Sequence, residues 1–280
     1  MRGESQTVIV AYHRSSGVYE SFQVGGEMPV LRGSRKHVLD WTSTPAFLDE
    51  LFALVSPVAC RRSPGSIWMP QGHTSGLEAR LETFGPRAYP DHPAWLTLKD
   101  WWLVHPARAN TPNWDIAVSC EIEGRPGLLL VEAKANVPEL GVAGKRLSKK
   151  VVGNANSMAN HERIGLAIAE ARAGLEPALP GISISRDSHY QLANRLAFSW
   201  KLATLGIPTV LLYLGFTGDE GIRDAGMPFA NDEHWQDVFG AHLKSVCPTA
   251  PLVGPVNVGA APFWVLSRSR PVLEVSPPRP

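Results

Sequence analysis

Residues Thr111 to Asn136 read T-P-N-W-D-I-A-V-S-C-E-I-E-G-R-P-G-L-L-L-V-E-A-K-A-N and carry the most specific chemical pattern of the chain. They predict two apolar strands joined by a glycine-containing turn. Asp115 stands at the start of the first strand, and Glu132 and Lys134 stand at the end of the second. Because successive side chains of a strand alternate between its faces, Glu132 and Lys134 point the same way. If the strands pair as a hairpin, two carboxylates and one ammonium converge at one end of a sheet.

This convergence suits a hard divalent cation, which binds oxygen ligands, with a positive donor beside it. A carboxylate such as Asp115 inside an apolar strand is also costly to bury unless it is paired or bound to metal. The alternative for Asp115 is a solvated position at the end of the turn that Thr111 begins. The alternative for Glu132 and Lys134 is a salt bridge at the exit of a strand, since E-x-K triplets are common by chance.

The pattern resembles the core motif of the PD-(D/E)xK nuclease superfamily, which has the restriction-endonuclease-like fold. Pro112 and Asp115 match the motif's Pro and Asp, although the family's Pro-Asp dipeptide is spread here over four residues. The resemblance implies that Asp115 and Glu132 hold Mg²⁺, for which Mn²⁺ substitutes, with the backbone carbonyl of Ala133 as a further ligand. It implies that Lys134 positions or helps to deprotonate the attacking water and offsets the charge that builds on the phosphorane.

The resemblance also implies two helper residues. Many members contribute an acid from the preceding helix; here Glu78 and Glu82 are candidates on a helix predicted over Ser75 to Phe84, and Glu78 is preferred. Acids in a first helical turn also favour the macrodipole, which is the alternative explanation. Some members place a Gln at the start of the following helix, and Gln191 matches that position. Ser188 and Gln191 also have the spacing of a capping box, which would explain the Gln without catalysis.

A local basic segment follows the motif, although the net charge of the chain is only +1. Its cations are compatible with phosphate contacts, and the helix that begins near Gln191 adds polar groups on one face. The nucleic-acid-binding residues predicted in this way are Lys145, Arg146, Lys149, Lys150, Asn194 and Arg195. The alternative for the basic segment is an ordinary solvated loop or helix face.

The order of predicted elements indicates an α/β (α+β) fold with a mixed sheet. From residue 75 to residue 216 they run helix, three strands, helical insertion, helix and strand, with Ala94 to Val104 counted as the first strand. The superfamily core is α-β-β-β-α-β, so the resemblance covers about half of the chain. Other predicted elements are helices over 47–55, 188–205 and 232–246 and strands over 207–216 and 263–267.

Three regions are predicted on this basis. An N-terminal extension at 1–70 contains a β-hairpin over Thr7 to Val24 and a helix. A nuclease-like core at 71–216 contains a helical insertion at about 136–186. A C-terminal helical extension at 217–280 ends in a disordered Pro-rich tail.

Composition narrows the class of protein further. Hydrophobic residues make up 44% and charged residues 19%, as in an ordinary soluble globular protein. No apolar stretch is long enough to cross a bilayer, and the N-terminus lacks a signal-peptide cleavage pattern. The 3 cysteines form no C-x-x-C pair and indicate reduced thiols. The sequence therefore predicts a cytoplasmic protein without a membrane partner. It contains no G-x-S-x-G or H-E-x-x-H motif, so serine-hydrolase and zinc-protease classes have no support.

The leading hypothesis is a Mg²⁺-dependent deoxyribonuclease in which metal-activated water attacks the scissile phosphorus in line. Two alternatives stay open. One is a catalytically inert nuclease-fold module that binds or assembles in a nucleic-acid-processing complex. The other is a metal-dependent hydrolase of small phosphorylated substrates, which the near-neutral charge also allows. The sequence does not distinguish DNA from RNA, and it leaves open whether two copies pair as a homodimer.

Overall fold

The computed structural model describes residues 31–106, 109–147, 153–249 and 254–272. The helices are α1 Gly33–Thr42, α2 Phe47–Leu54, α3 Leu81–Ala88, α4 Ala94–Trp102, α5 Ala155–Leu175, α6 Tyr190–Thr204 and α7 Asp232–Lys244. The strands are β1 Cys60–Arg61, β2 Trp68–Met69, β3 Ala79–Arg80, β4 Asn113–Trp114, β5 Ile116–Ile122, β6 Arg125–Lys134, β7 Thr209–Thr217, β8 Val256–Asn257 and β9 Pro262–Pro271.

One mixed sheet organises the described part of the chain. Its strand order is β1-β5-β6-β7-β9-β8, and β2 also pairs with β5. β5 and β6 form an antiparallel hairpin, whereas β6, β7 and β9 run parallel to one another. β3 and β4 form a separate two-stranded sheet. The hairpin therefore supplies an antiparallel half and the later strands a parallel half.

The alternation of side chains along β6 decides what each face of the sheet contacts. Leu129, Val131 and Ala133 face the cluster that contains the apolar side chains of α1 and α2. Leu128 and Leu130 face the opposite cluster, which contains those of α3 to α7. Both faces are thus covered by helices, which makes this a three-layer α/β fold and explains why β6 and β7 are apolar on both faces.

Most predicted elements are confirmed within a few residues. The hairpin, the helices at 47–54, 190–204 and 232–244, and the strands at 209–217 and 262–271 occur where the sequence predicted them. The long helix α5 follows the basic loop, as expected for the Ala-rich part of the insertion. The mixed α/β class is likewise confirmed.

Two predictions of secondary structure are wrong. Ala94 to Val104 is not a strand, because α4 runs from Ala94 to Trp102 and buries Trp95, Leu98, Trp101 and Trp102 on one face. The helix predicted over Ser75 to Phe84 begins only at Leu81, since the two residues before it pair with β4. The segment counted as the first of the three core strands is therefore a helix.

Some predictions fall outside the described residues. The hairpin over Thr7 to Val24 and the Pro-rich tail are among them. The division into a core and two extensions stays a prediction. β1 and β2, which precede residue 71, and β9, which follows residue 216, belong to the same sheet as the hairpin.

Candidate active site

The register of the hairpin places Asp115 opposite Glu132. The last paired residues at this end are Ile116 of β5 and Val131 of β6, so the next step along each strand brings Asp115 and Glu132 side by side. Asp115 occupies the bend between β4 and β5. Because this bend ends the ladder, the backbone N–H of Ala133 has no strand partner there and donates to Asp115 Oδ2 at 2.8 Å.

Burial and a like charge act on Asp115. Burial of the carboxyl group, followed by the negative charge of Glu132, raises the pKa of Asp115 from 3.8 to about 7. The positive charges of Lys134 and Arg195 oppose this shift without cancelling it. A charged Asp115 is therefore unfavourable in the protein without a cation, and a bound cation would relieve that cost.

Glu132 is the centre of a buried ion-pair cluster. It is 2% exposed, and Lys134 Nζ donates to its Oε1 at 2.6 Å while Arg195 Nε donates to its Oε2 at 2.6 Å. Burial alone would raise the pKa of Glu132, but the charges of Arg195 and Lys134 outweigh it and hold that pKa below its ordinary value. Glu132 is therefore a carboxylate, and each of its oxygens already accepts a hydrogen bond.

Arg195 of α6 is committed to this cluster. Besides Glu132, its Nη2 donates to the carbonyl of Asn113 at 2.6 Å and its Nη1 donates to Asn194 Oδ1 at 2.9 Å. Its guanidinium also lies 4.3 Å from the ring centroid of Trp114. Arg195 thus connects β6, α6 and the strand that leads into Asp115. Direct contact of Asn194 and Arg195 with nucleic acid stays a prediction; both side chains are buried, at 3% and 7% exposure.

Gln191 reaches the cluster from the start of α6. Its Oε1 accepts a hydrogen bond from Lys134 Nζ at 3.1 Å. The residue at the N-cap is His189, in the left-handed conformation with φ 46° and without a side-chain cap, so the capping box of Ser188 and Gln191 does not form. The side chain of Gln191 therefore contacts Lys134 rather than capping the helix; its catalytic role stays a prediction.

The two candidate acids from the segment before the hairpin have separate partners. Glu78 lines the cleft over the cluster, and its Oε2 accepts from Asn113 Nδ2 at 2.8 Å. It reaches this position from the irregular segment before β3 rather than from a helix. Glu82 lies in the first turn of α3, where its carboxylate accepts hydrogen bonds from the N–H and hydroxyl of Thr111. Glu78, the preferred candidate, is the one that lines the cleft.

The loop 141–147, which follows the motif, forms one wall of the cleft. The N–H groups of His189 and Tyr190 donate to the carbonyls of Val142 and Ala143, and the N–H of Lys145 donates to Arg186. Lys145 lines the cleft. Arg146 is exposed outside the lining, and Lys149 and Lys150 lie outside the described residues. Of the four basic-segment residues predicted to bind nucleic acid, the structure therefore places Lys145 in the cleft lining.

The cleft has a volume of about 840 Å³. Its lining within the described residues includes four carboxylates, Glu78, Asp115, Glu132 and Glu139, and three cations, Lys134, Lys145 and Arg195. Formal charge in the lining is thus close to balanced, with one negative charge in excess. An anion in this cleft would therefore be bound more favourably if the carboxylates also held a cation.

Glu139 is a cleft residue that the sequence reasoning missed. Its Oε2 accepts from the N–H of Ala135 at 2.8 Å, and its own N–H donates to Asn136 Oδ1 at 3.1 Å. Asn136 thus caps the short 3₁₀ turn Val137–Leu140, and the Glu139 carboxylate accepts from the residue before the cap. The signal was present in N-V-P-E, where Asn is a favoured cap and Pro is tolerated in the first turn.

The carboxylates of this cluster would suit Mg²⁺ bound by few protein ligands. Within the described segments, no group of three or more His, Cys, Asp or Glu side chains is arranged to hold a metal. Asp115 and Glu132 offer two adjacent carboxylates, and each carboxylate has about four lone-pair sites, so the existing hydrogen bonds leave capacity. Mg²⁺ commonly binds one or two carboxylates and keeps several waters. The residues present therefore suit a partly hydrated Mg²⁺ better than a fully protein-coordinated ion.

Comparison with known proteins adds no identification. No protein-family model, curated protein or solved structure matches the chain. In the described part of the chain, no helix is both long and apolar enough to span a membrane. The site must therefore be interpreted from its own geometry.

Gly144 offers a test of the cleft wall. A Cβ at this position would overlap the backbone of Asp187, so Gly144→Ala must push the loop away from the start of α6. We expect it to destabilise the fold by about 1–3 kcal/mol in urea unfolding, the usual cost of overpacking. Gly141→Ala is the matched control, because a Cβ there meets nothing within 4 Å. Equal stability of the two variants would contradict a tightly fixed wall.

Proposed function

We propose that the chain is a Mg²⁺-dependent nuclease of the PD-(D/E)xK type that hydrolyses DNA phosphodiester bonds. One observation carries the proposal: the hairpin register sets Asp115 opposite Glu132, with Lys134 on the same face and bonded to both Glu132 and Gln191. The sequence pattern predicts all four residues without reference to these contacts. A chance E-x-K triplet would not require a carboxylate from the neighbouring strand or an amide from a later helix.

The arrangement of elements supports the restriction-endonuclease-like core as part of this proposal. β5 and β6 would be the motif-bearing hairpin, and β7, parallel to β6 and preceded by α6, would be the strand that follows. β1 and β2, which pair with β5, would take the place assigned to 94–104 in the sequence. Helices α1 and α2 would then precede the core sheet.

Each residue would have a defined role. Asp115 and Glu132, with the carbonyl of Ala133, would hold Mg²⁺, which when bound polarises the phosphoryl oxygens and lowers the pKa of a bound water. Lys134, fixed between Glu132 and Gln191, donates a hydrogen bond toward the water or the phosphorane oxygen. Arg195 neutralises Glu132 and fixes its orientation by donating to Oε2, as hydrogen-bond partners of metal-ligating carboxylates do. Glu78 would contribute at the rim through water.

Plasmid nicking tests the proposal. Supercoiled plasmid incubated with the protein and Mg²⁺ or Mn²⁺ is expected to be converted to the open-circular form, and EDTA is expected to prevent this. Asp115→Ala and Lys134→Ala should both lose the activity while retaining the circular-dichroism spectrum of the wild type. Nicking by either variant at the wild-type rate would refute the assignment.

A metal-dependent hydrolase of small phosphorylated substrates is the second candidate. The cleft volume of about 840 Å³ lies in the range of small-molecule sites, and only one cation of its lining lies outside the Glu132 cluster. Salt dependence separates the candidates, because binding of a polyanion weakens steeply with salt in proportion to the phosphates neutralised. The third alternative is an inert nuclease-fold module. In calorimetry such a module would show no Mg²⁺ site that is lost in Asp115→Asn.

A further inference from the structure

Lys145 is the cleft cation that the Glu132 cluster does not use. Its Nζ lies 4.9 Å from the ring centroid of Tyr190, on the wall formed by the loop 141–147. In the described part of the chain it forms no ion pair with a carboxylate, and burial is the cause that lowers its pKa. An ammonium of intermediate exposure without a counter-ion among the described residues is unfavourable by itself, so its position favours binding of an anion in the cleft.

Lys145 and Arg186 both place positive charge near His161. Burial, then the positive charges of Arg186 and Lys145, lowers the pKa of the neighbouring His161. Asp187 neutralises part of this positive charge through its ion pair with Arg186. The cleft lining also includes Glu78 and Glu139, and Glu78 is already paired with Arg35 at 3.4 Å. Among the described residues no carboxylate pairs with Lys145, so an anion in the cleft would be attracted to this ammonium.

The ammonium is also held in a fixed place. The backbone of Lys145 is bonded to Arg186, and Gly144 before it packs against Asp187 too closely for any side chain. The aromatic ring of Tyr190 supports the side chain from below. Tyr190 directly precedes Gln191, which contacts Lys134. Lys145 and Lys134 thus contact two consecutive residues, Tyr190 and Gln191, at the start of α6.

We infer that Lys145 is an anchoring site for a backbone phosphate of a polynucleotide, adjacent to the phosphate at the Asp115–Glu132 centre. This inference rests on the proposed function for the identity of the ligand. Lys145 takes no part in bond cleavage. It fixes the register of the strand in the cleft, so its loss weakens binding and leaves the chemical step intact.

Binding in EDTA tests the anchor without cleavage. Fluorescein-labelled single-stranded and duplex oligonucleotides of one sequence, and a nucleoside monophosphate as competitor, are titrated against the wild type, Lys145→Gln and Lys145→Arg. We expect Lys145→Gln to weaken oligonucleotide binding about tenfold, the effect of one charge-assisted hydrogen bond, and to lower the magnitude of the log–log salt slope by about one. Lys145→Arg should retain most of the affinity.

The matched control is Lys244→Gln, an exposed lysine in the last turn of α7 that lies outside the cleft lining. It should bind like the wild type. With Mg²⁺ present, Lys145→Gln should raise KM about tenfold and change kcat less than threefold. Thermal melts of each variant report whether the fold is retained.

The outcomes separate the anchor from the nuclease proposal. If the wild type does not cleave DNA but Lys145→Gln still loses the binding, the anchor stands and the nuclease proposal falls. If the wild type cleaves and Lys145→Gln matches it in KM and in binding, the anchor falls alone. The anchor would also be overturned if Lys244→Gln lost as much binding affinity, or if the wild type did not bind the oligonucleotide. Competition by the monophosphate at concentrations as low as those of the oligonucleotide would overturn it as well.

Discussion

Asp115→Asn is expected to abolish metal-dependent cleavage of DNA and at the same time to stabilise the metal-free protein. The amide removes a ligand of the proposed Mg²⁺ site, and we expect the cleavage rate to fall on the order of 10³-fold or more. It also removes a buried negative charge beside Glu132 while its carbonyl oxygen can still accept from Ala133. Quantitative plasmid nicking and thermal melting at pH 8 in EDTA measure the two effects.

The pH dependence has a definite sign. The folded-state pKa of Asp115 is raised to about 7, above its ordinary 3.8, so between these values the folded protein binds a proton that the unfolded chain does not. This contribution to stability is fully present below pH 4 and is lost as the pH rises through 7. The melting temperature of the wild type should therefore fall relative to that of Asp115→Asn over this window, and Mg²⁺ should reduce the difference.

Asp100→Asn is the control for this comparison, since Asp100 is exposed on α4. It should change neither the cleavage rate nor the pH profile. A lower melting temperature for Asp115→Asn than for the wild type at pH 8 would contradict the buried like charges. Unchanged cleavage by the variant would contradict the role of Asp115 as a metal ligand.

Arg195→Met is expected to cause the largest loss of stability among single substitutions at the site. Breaking a buried ion pair by removing one partner typically costs about 3–5 kcal/mol, because the remaining charge stays buried. Here Glu132 would keep only Lys134, and the carbonyl of Asn113 would lose its donor. Urea unfolding monitored by tryptophan fluorescence measures the change in the free energy of unfolding.

Lys201→Met on the same helix is the matched control. Lys201 also lies over indole rings, those of Trp101 and Trp200, and it pairs with Glu170, whose side chain is 47% exposed. Because that pair is open to solvent, we expect its loss to cost less than about 1 kcal/mol. Equal costs for the two variants would show that Arg195 contributes mainly as an aromatic-stacking cation and not as the partner of Glu132.

The hairpin and the motif were predictable because they depend on local order. Apolar runs on either side of a turn fix the pairing of β5 with β6, and the alternation of faces then determines the direction of Glu132 and Lys134. Only the hairpin register was needed to bring Asp115 next to them. The parallel strand β7 and the helix α6 before it also followed from long, well-bounded apolar patterns.

The errors arose where composition and periodicity disagree. The Trp-rich stretch at 94–104 has the aromatic content that favours strands, yet Trp95, Leu98, Trp101 and Trp102 repeat with the spacing of a helix. Helix α1 was missed because its sequence is largely polar. Its burial depends on contacts such as that of His37 Nε2 with Asp219 Oδ2 at 2.5 Å, which lie 182 positions apart in the chain.

The partners of the site depend on tertiary packing. The sequence predicts Arg195 as a phosphate-binding residue, but α6 packs so that its guanidinium reaches Glu132, 63 positions earlier. Glu78 reaches the cleft through the pairing of β3 with β4 rather than through a helix. Neither contact has a signal in sequence spacing, because each joins segments whose distance is set by the fold as a whole.

The pairing of β7 with β9 limits how far the chain can be shortened. β9 covers β7 through nine residue pairs, from Thr209 with Phe263 to Thr217 with Pro271, although it lies beyond the stretch that resembles a nuclease. Cutting the chain after Thr217 would leave a long, flat, apolar strand with unsatisfied backbone groups along one side. Such edges recruit other chains and aggregate. The last quarter of the chain therefore protects the solubility of the sheet on which the candidate site is built.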